Sequence, residues 1–382
     1  MRVAVIGAGI IGLACAYELG RGGHTVLVYD AEPAGGATHA AAGMISPAGE
    51  AWYGEEALLW LGLASAAMWP DFAAGLSAAT GVDVDYRNAG TLLVGKDRDD
   101  LANVLRTVSL LVGQGIEAEQ LGCRELVERE PTLDSRVAGG AFLPDDHSVN
   151  PRKAAAALMA NLDDRLIRVN ARPDVVDGKC WGVVTEDGLS RRADAVVVAT
   201  GHRLGEMGLG TRRLVRPVRG EVIRVQTDDP PERTIRAAVR GRSVYAVPRA
   251  GGEVIIGATS EERAGEPVPT VGGVLQLLND ARTLLPTLDS ADILDIVCRF
   301  RPGTPDNGPL IGPSSTPGLF VAGGHHRGGV LLAPITALAI RAYLDGGDVP
   351  DVVRRFRPDR FETLPADPLP TETLPTDTWS NV

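Results

Sequence analysis

A glycine pattern near the amino terminus constrains the fold of this chain more than any other feature. It has the form G-x-G-x-x-G and consists of Gly7, Ala8, Gly9, Ile10, Ile11 and Gly12. An apolar segment at residues 2–7 leads into it and a helical pattern at residues 10–19 follows, which predicts a strand, a tight turn and a helix. The first glycine permits the turn, the second lets the backbone approach a pyrophosphate, and the third lets the helix pack on the strand.

The next segment completes a dinucleotide-binding unit. Residues 24–29 form a second apolar strand, which ends at Tyr29 and Asp30. A carboxylate at this position accepts hydrogen bonds from an adenosine ribose, while the phosphates lie at the N-terminus of the first helix. The strand-helix-strand order implies a parallel sheet. This unit predicts a bound dinucleotide and leaves NAD and FAD both open.

Two later glycine-rich turns favour FAD over NAD. The apolar residues 195–199 lead into Thr200 and Gly201, and the apolar residues 319–322 lead into a second turn at residues 323–329. A helix that begins after the second turn has its N-terminus where it can stabilise negative charge on a reduced flavin ring. A dinucleotide site built from both ends of the chain suits a flavoprotein better than a typical NAD domain.

The remaining pattern predicts an α/β protein with two discontinuous domains. Residues 1–80, 143–216 and 300–362 are assigned to the dinucleotide-binding domain, and residues 81–142 and 217–299 to a substrate-binding domain with antiparallel strands. We expect the ligand at the junction of the domains, where binding sites often lie. The proline- and threonine-rich tail at residues 363–382 is expected to be disordered.

Composition argues against several classes of function. A net charge of −11 without a basic stripe argues against nucleic-acid partners and polybasic membrane surfaces. The apolar stretch at residues 330–340 is shorter than the roughly 20 residues that a membrane span needs. The four cysteines are widely spaced and form no C-x-x-C pair, so we expect no metal site, reduced thiols and a cytoplasmic protein.

Six short motifs carry a family resemblance. They are residues 40–44 (AAAGM), 217–221 (PVRGE), 245–249 (YAVPR), 257–259 (GAT), 301–306 (RPGTPD) and 325–334 (HHRGGVLLAP). With them the chain resembles the FAD-dependent amine oxidoreductases of the D-amino acid oxidase superfamily, and within it the glycine oxidases of thiamine biosynthesis. The resemblance covers residues 1–360. It implies a Rossmann-like FAD-binding domain of the p-hydroxybenzoate hydroxylase type and a substrate domain with a large antiparallel sheet.

The resemblance also implies an activity, which is oxidative deamination of glycine and other small amines with non-covalent FAD. A hydride passes to flavin N5, the imine hydrolyses to glyoxylate and ammonia or enters thiazole assembly, and O2 accepts the electrons to give hydrogen peroxide. A homotetramer and hand-over of the product to thiazole biosynthesis are further implications. D-amino acid dehydrogenase, sarcosine oxidase and a non-enzymatic FAD-binding module remain alternatives.

Several residues receive roles in substrate binding from the resemblance. Arg301 is expected to grip the substrate carboxylate with two parallel hydrogen bonds, and Tyr245 to add another. Further pocket positions are Met44, Ser260, Arg327 and Glu50, the last in a segment that covers the entrance. Arg327 equally suits a structural role at the carbonyls of the glycine turn. Because Ser260 stands where the family has methionine, sarcosine and D-alanine join glycine as candidate substrates.

The expected chemistry relies on orientation and electrostatics, so no side chain is predicted to act as an acid or a base. His325 and His326 are expected to brace the flavin. The residues expected to contact FAD are Gly7, Ala8, Gly9, Ile10, Ile11, Gly12, Tyr29, Asp30, Thr38, Ala41, Ala42, Gly43, Met44, Val175, Thr200, Gly201, Arg301, His326, Arg327, Gly328, Gly329, Val330 and Leu331.

Overall fold

A computed structural model describes residues 1–207, 214–263 and 265–361, so the predicted tail lies outside the described residues. The strands are β1 (Arg2–Ile6), β2 (Thr25–Tyr29), β3 (Met44–Ile45), β4 (Thr91–Gly95), β5 (Glu119–Gly122), β6 (Gly139–Leu143), β7 (His147–Ser148), β8 (Leu166–Ile167), β9 (Ala171–Val176), β10 (Lys179–Thr185), β11 (Ser190–Arg192), β12 (Ala195–Val198), β13 (Arg216–Gln226), β14 (Thr234–Val239), β15 (Arg242–Pro248), β16 (Glu253–Gly257), β17 (Asp292–Gly303), β18 (Leu310–Pro313) and β19 (Leu319–Gly323).

Helices connect and cover these strands. They are α1 (Ile10–Arg21), α2 (Ala37–Ala40), α3 (Glu56–Ala66), α4 (Trp69–Thr80), α5 (Arg98–Gly113), α6 (Cys123–Arg129), α7 (Pro151–Leu162), α8 (Val271–Leu284), α9 (Ala333–Asp345) and α10 (Asp351–Arg354). Along the described ranges, no single helix has the length and apolar composition to cross a bilayer; α3 and α4 reach them only as a pair bent by 40°.

The first sheet confirms the predicted dinucleotide-binding unit. Its strand order is β18-β19-β12-β1-β2-β8, and every neighbouring pair is parallel except β18 with β19. Helix α1 joins β1 to β2 and packs on α7 and α9. Most of its residues are buried, from Ile10 to Leu19, because apolar neighbours surround it. The carboxyl ends of β1, β2 and β12 therefore lie side by side at one edge of the sheet.

The second sheet has eight strands in the order β17-β13-β16-β15-β14-β4-β6-β5, which confirms the predicted large sheet. It is antiparallel except where β14 runs parallel to β4. Alternation along β4 and β14 places Leu92 and Ile235 in a core cluster that also contains buried residues of α6 and α8. Leu93 and Arg236, which are register partners, lie on the opposite face. That second face carries the substrate end of the site described below.

The strands of the large sheet do not stop at the predicted domain boundaries. β13 begins at Arg216, β6 ends at Leu143 and β17 continues to Gly303, because the pairing of each strand with its neighbour extends across the predicted boundary. Two smaller sheets, β9–β10–β11 and β3–β7, complete the strand pairings. The division of the chain into two domains stays a prediction.

Candidate active site

A cavity of about 670 Å³ brings the predicted cofactor and substrate residues together. One part of its wall comes from the strand ends of the first sheet, with Gly7, Asp30 and Thr200. Another comes from the large sheet, with Tyr245 and Arg301. The volume falls in the range of roughly 300–1,000 Å³ that small-molecule and cofactor sites occupy. The cavity lies where the first sheet and the large sheet meet.

The turn between β1 and α1 requires glycine, because a side chain at either of two positions would collide with backbone atoms. Gly7 has a φ of +104°, and a Cβ there would lie 2.4 Å from the carbonyl oxygen of Ala199. A Cβ on Gly12 would lie 1.9 Å from the carbonyl oxygen of Gly7. Helix α1 starts behind Gly9, which has no side chain to cap it, and the N–H of Ile10 bonds the Thr38 hydroxyl. The positive end of its dipole and the next N–H groups face the cavity wall, where they can bind an anion such as a pyrophosphate.

Asp30 and Thr38 hold the backbone around this turn. The Asp30 carboxylate accepts hydrogen bonds from the Ala8 N–H at 2.7 Å and from the Glu32 N–H at 2.9 Å. The buried Thr38 hydroxyl accepts one from the Ile10 N–H at 2.9 Å. Both residues also line the cavity. Asp30 thus combines a structural role with the position expected for a ribose contact.

Arg301 and Tyr245 lie at the substrate end of the cavity. Arg301 is on β17, and its Nη1 donates a hydrogen bond to the Thr259 carbonyl at 3.1 Å. Gly220 leaves room for this guanidinium, since a Cβ at residue 220 would lie 2.1 Å from Nη1. Burial raises the pKa of Tyr245 above its usual value, against the opposing charges of Arg301 and Arg236. The phenol therefore stays protonated and can donate to a carboxylate.

Glu50 lies between two guanidinium groups of the cavity. It accepts a hydrogen bond from Arg236 Nη1 at 3.0 Å, and its second oxygen is 4.0 Å from Arg327 Nε. Burial raises the pKa of Glu50, but the charges of Arg236, Arg327 and Arg301, together with the hydrogen bond from Arg236, lower it by more, so the net pKa is below its usual value. Glu50 is therefore ionised at neutral pH and pairs with both arginines.

The loop that carries Glu50 is held by a buried carboxylate. Asp146 accepts hydrogen bonds from the Ser46 hydroxyl, from the Ala48 N–H at 3.1 Å and from the Gly49 N–H at 2.6 Å. Burial raises the pKa of Asp146 to about 6, although these donors oppose the shift. The position of Glu50 is thus fixed by the backbone of residues 46–49 as well as by Arg236.

The two neighbouring histidines of the last turn differ in their contacts. The buried His325 ring is 2.9 Å from the Thr336 hydroxyl on α9, and burial lowers its pKa to about 3. The pKa of His326 falls to about 4, first because of burial and then because of the positive charges of Arg327 and Arg301. Both rings are neutral at pH 7, and His325 fixes the turn to the first helical residues that follow it.

Comparison with known proteins decides the family. The family model DAO, FAD dependent oxidoreductase, matches residues 2–342. This chain belongs to that family. Glycine oxidase of Geobacillus kaustophilus is 32% identical over 346 residues, which cover 88% of this chain and 91% of the relative. Its crystal structure matches with a TM-score of 0.85 at 30% identity, over 93% of this chain and 98% of that one.

A second relative is longer than this chain. The bifunctional protein ThiO/ThiG of Trichormus variabilis is 32% identical over 94% of this chain but only 55% of its own length, so the chain spans about half of that protein. The predicted family, FAD dependence and enzymatic nature are confirmed by these matches. The roles of individual site residues stay predictions.

The DAO family cofactor fits what this cavity offers. The wall at Gly7 leaves space for backbone-to-phosphate contact, and the start of α1 faces it. Among the described residues, the hydroxyl of Thr200 and the Nδ1 atom of His326 are buried without a hydrogen-bond partner, and both residues line the cavity. Buried polar atoms of this kind normally bind something. FAD between the two sheets would supply such partners.

Most of the predicted contact residues line the cavity, including all six predicted for the substrate. Those six are Arg301, Tyr245, Arg327, Met44, Ser260 and Glu50. Ser260 is exposed at the wall, and Met44 Sδ is 3.3 Å from Arg236 Nη1. The cavity wall also includes most of the other residues that were predicted to contact FAD, namely Gly9, Ile10, Ile11, Tyr29, Ala41, Ala42, Gly43, Gly201, His326, Gly329 and Val330.

Five residues predicted to contact FAD lie off the wall, as far as the described residues define it. They are Ala8, Gly12, Val175, Gly328 and Leu331. Ala8 is fully buried, and Gly12 lies against Gly7 and Ala199. The Leu331 carbonyl faces α3 and α4, where it accepts hydrogen bonds from Ser65 and Trp69. The contact of these residues with FAD stays a prediction.

Val175 lies near the far end of β9 and is 46% exposed. The wall at this strand is formed by Asn170 and Ala171, at its beginning. A strand advances about 3.3 Å per residue, so four residues separate Val175 from the cavity by more than 10 Å. At this strand the cavity is therefore lined by residues 170 and 171 and not by Val175.

Arg236 and Arg299 line the cavity, and the sequence motifs did not predict them. Arg299 donates to the Gly35 carbonyl at 2.8 Å, beside the predicted cofactor end. Arg236 is the register partner of Tyr245 across β14 and β15. Because side chains alternate along β14, the sequence predicts that Arg236 and Ile235 face opposite sides of the sheet. Only the register of β14 with β15 places Arg236 next to Tyr245.

Acid is expected to destabilise the protein partly through His325. Above about pH 6.5 the ring is neutral in both states, so it has no effect. Between pH 6.5 and about 3 the unfolded chain takes up a proton that the folded chain does not, so the free energy of unfolding falls as pH falls, by about 1.4 kcal/mol per pH unit. His325→Gln should flatten the decline by about that amount, measured by denaturant unfolding from pH 7 to pH 5. If the free energy of unfolding falls with pH equally steeply in the variant and the wild type, His325 does not contribute to the acid sensitivity.

Proposed function

We propose that this protein oxidises glycine and other small primary or secondary amines of the α-amino acid type, with FAD as the cofactor and O2 as the electron acceptor. The observation that supports it most is the placement of Arg301 and Tyr245 in the same cavity as the glycine turn of β1 and α1. The glycine oxidase and ThiO/ThiG relatives support the substrate and a link to the thiazole of thiamine.

Substrate binding is assigned to the large sheet. The Arg301 guanidinium binds the substrate carboxylate with two parallel hydrogen bonds, while one of its N–H groups stays on the Thr259 carbonyl. The protonated Tyr245 phenol donates a further hydrogen bond to the same carboxylate. The two contacts fix the α-carbon in one orientation relative to the turn at residues 323–329.

The reaction needs little from side chains beyond this orientation. FAD, when bound, supplies the acceptor for the two electrons of the α-C–H bond and passes them to O2. Helix α9 begins at Ala333, just after the cavity-lining Val330, so the positive end of its dipole can stabilise negative charge at the cofactor. Because Glu50 is paired with Arg236, it is not available to take a proton from the substrate. The balance is glycine, O2 and water to glyoxylate, ammonia and hydrogen peroxide.

The setting of the reaction belongs to the same proposal. We place the enzyme in the cytoplasm as a homotetramer, and we propose that the imine or its product passes to thiazole synthesis. The predicted division into a FAD-binding and a substrate-binding domain fits the two large sheets, with the cavity at their junction. A D-amino acid dehydrogenase or a sarcosine oxidase with the same architecture would differ in electron acceptor or in substrate preference.

Anaerobic mixing of the holoenzyme with glycine, sarcosine and D-alanine tests the proposal. We expect all three to bleach the flavin absorbance, and readmitted O2 to restore it with one hydrogen peroxide per flavin. Bleaching that only a quinone-type dye reverses would instead indicate a dehydrogenase. A flavin that stays oxidised with every amine would contradict the proposed activity altogether.

A further inference from the structure

The substrate end of the cavity holds more positive charge than one carboxylate requires. Arg301, Arg327 and Arg236 line it together with Glu50, while Glu55, which does not line this cavity, lies 3.9 Å from Arg327 Nη2. Glycine, sarcosine and D-alanine each present one carboxylate, which the proposed function assigns to Arg301 and Tyr245. Arg236 and Arg327 are therefore not needed to bind the carboxylate of such a substrate.

Arg236 is placed for contact with a ligand and is not a surface residue. Its side chain is only 14% exposed, and it lies beside Tyr245 in the register of β14 and β15. Arg236 on β14 and Arg301 on β17 line the same cavity as Tyr245, and the positive charges of both oppose the rise in the pKa of its phenol. A ligand held by Arg301 and Tyr245 consequently lies next to Arg236.

Glu50 takes the place that an anion of a ligand would take between Arg236 and Arg327. One of its oxygens is 3.0 Å from Arg236 Nη1 and the other is 4.0 Å from Arg327 Nε. Its backbone is held by the loop that Asp146 binds through Ala48 and Gly49. The carboxylate is thus fixed in the cavity by the fold and is not a mobile surface group.

We propose that Arg236 and Arg327 form a second carboxylate-binding subsite that Glu50 occupies, and that Glu50 thereby excludes amines with a second carboxylate. This inference rests on the proposed function, because it assigns the first carboxylate to Arg301. A dicarboxylate would meet two guanidinium groups that are already paired and a like charge held beside them. At short range in a partly buried site such repulsion is strong enough to decide between substrates.

Sarcosine and iminodiacetate form a matched pair of probes, since they differ only in a methyl or a carboxymethyl group on the nitrogen. The quantity to measure is the kcat/KM for iminodiacetate divided by that for sarcosine. In the wild type this ratio should lie well below one. Glu50→Gln keeps the size of the side chain and a hydrogen-bond acceptor for Arg236, and it should raise the ratio at least tenfold.

Arg236 provides the complementary test. Arg236→Gln alone leaves the Glu50 charge without its closest partner, so the ratio should fall further. In the double variant Glu50→Gln with Arg236→Gln, the gain of the single Glu50 variant should disappear, because the cation that would bind the second carboxylate is gone. Persistence of the gain in the double variant would overturn the role of Arg236.

A surface substitution separates the local effect from the change in net charge. Glu119 is also paired with an arginine, Arg129, but its side chain is 49% exposed. Glu119→Gln changes the net charge by the same amount and should leave the ratio as it is in the wild type. A rise in this variant, or no rise in Glu50→Gln, would overturn the proposal. A wild type that oxidises iminodiacetate as well as sarcosine would overturn it too.

Binding without turnover keeps the inference separate from the proposed function. Methoxyacetate and diglycolate are the ether counterparts of the two probes, and their binding is measured by the perturbation of the flavin spectrum. Glu50→Gln should tighten diglycolate at least tenfold relative to methoxyacetate. If sarcosine fails to reduce the wild-type flavin, the proposed function fails, while this binding comparison still decides whether Glu50 occupies a second anion subsite.

Discussion

Replacement of Arg301 by leucine is expected to lower kcat/KM for glycine by about 100-fold to 1,000-fold and to leave FAD bound. Truncating one partner of a buried, charge-assisted pair typically costs about 2–5 kcal/mol. The Arg301 guanidinium projects from β17 and is fixed by the Thr259 carbonyl, so its loss removes the proposed carboxylate grip and little of the fold. Steady-state kinetics with glycine gives the effect, and the flavin-to-protein ratio gives the cofactor content.

A lysine at the same position is the matched control. It keeps the positive charge but loses the planar pair of N–H donors, so Arg301→Lys should recover part of the loss without reaching the wild-type value. An Arg301→Leu enzyme that releases its flavin yet binds amino acids normally would contradict the assignment. The residue would then serve the cofactor and not the substrate.

Replacement of Gly12 by alanine is expected to abolish most FAD binding and to destabilise the fold. A Cβ at this position would lie 1.9 Å from the Gly7 carbonyl oxygen, which is backbone and has little freedom to move. The turn between β1 and α1 must therefore open, and the start of α1 shifts away from the phosphates. We expect a loss of about 2–4 kcal/mol in the free energy of unfolding, measured on the apoprotein.

Gly113→Ala provides the comparison for that variant. Gly113 ends α5, and an added Cβ meets open space there, at least among the residues that the structure describes. This change should leave both the flavin-to-protein ratio and the free energy of unfolding close to the wild-type values. Full flavin occupancy in Gly12→Ala would mean that the turn does not approach the cofactor as the fingerprint predicts.

The dinucleotide unit was predictable because its signals are local. An apolar strand, a glycine turn and the helix that follows occupy adjacent residues, and Asp30 ends the next strand. Arg301 and Tyr245 were identified through motifs of a resembled family, and the structure brings both to one cavity although 56 residues separate them. Local sequence patterns and family motifs together were sufficient to predict the main residues that line the cavity.

The position of Arg236 could not be predicted from its own segment. Nothing in its own segment distinguishes it from an arginine on a solvent-facing strand position. Its place beside Tyr245 follows from the register of β14 and β15, and its pairing with Glu50 depends on a loop held by Asp146. Such contacts join distant parts of the chain, so no pattern within one segment specifies them. Val175 shows the converse case, because a strand at this position was predicted but the pattern does not specify which end of β9 lines the cavity.

Anaerobic titration tests the central claim most directly, which is that the protein oxidises glycine with FAD bound in this cavity. Glycine is added stepwise to the oxygen-free holoenzyme while flavin absorbance and glyoxylate are followed together. We predict complete bleaching with one glyoxylate formed per flavin reduced, and recovery of the oxidised spectrum when O2 is admitted. A flavin that remains oxidised in excess glycine, in an enzyme that dithionite still reduces, would contradict the account.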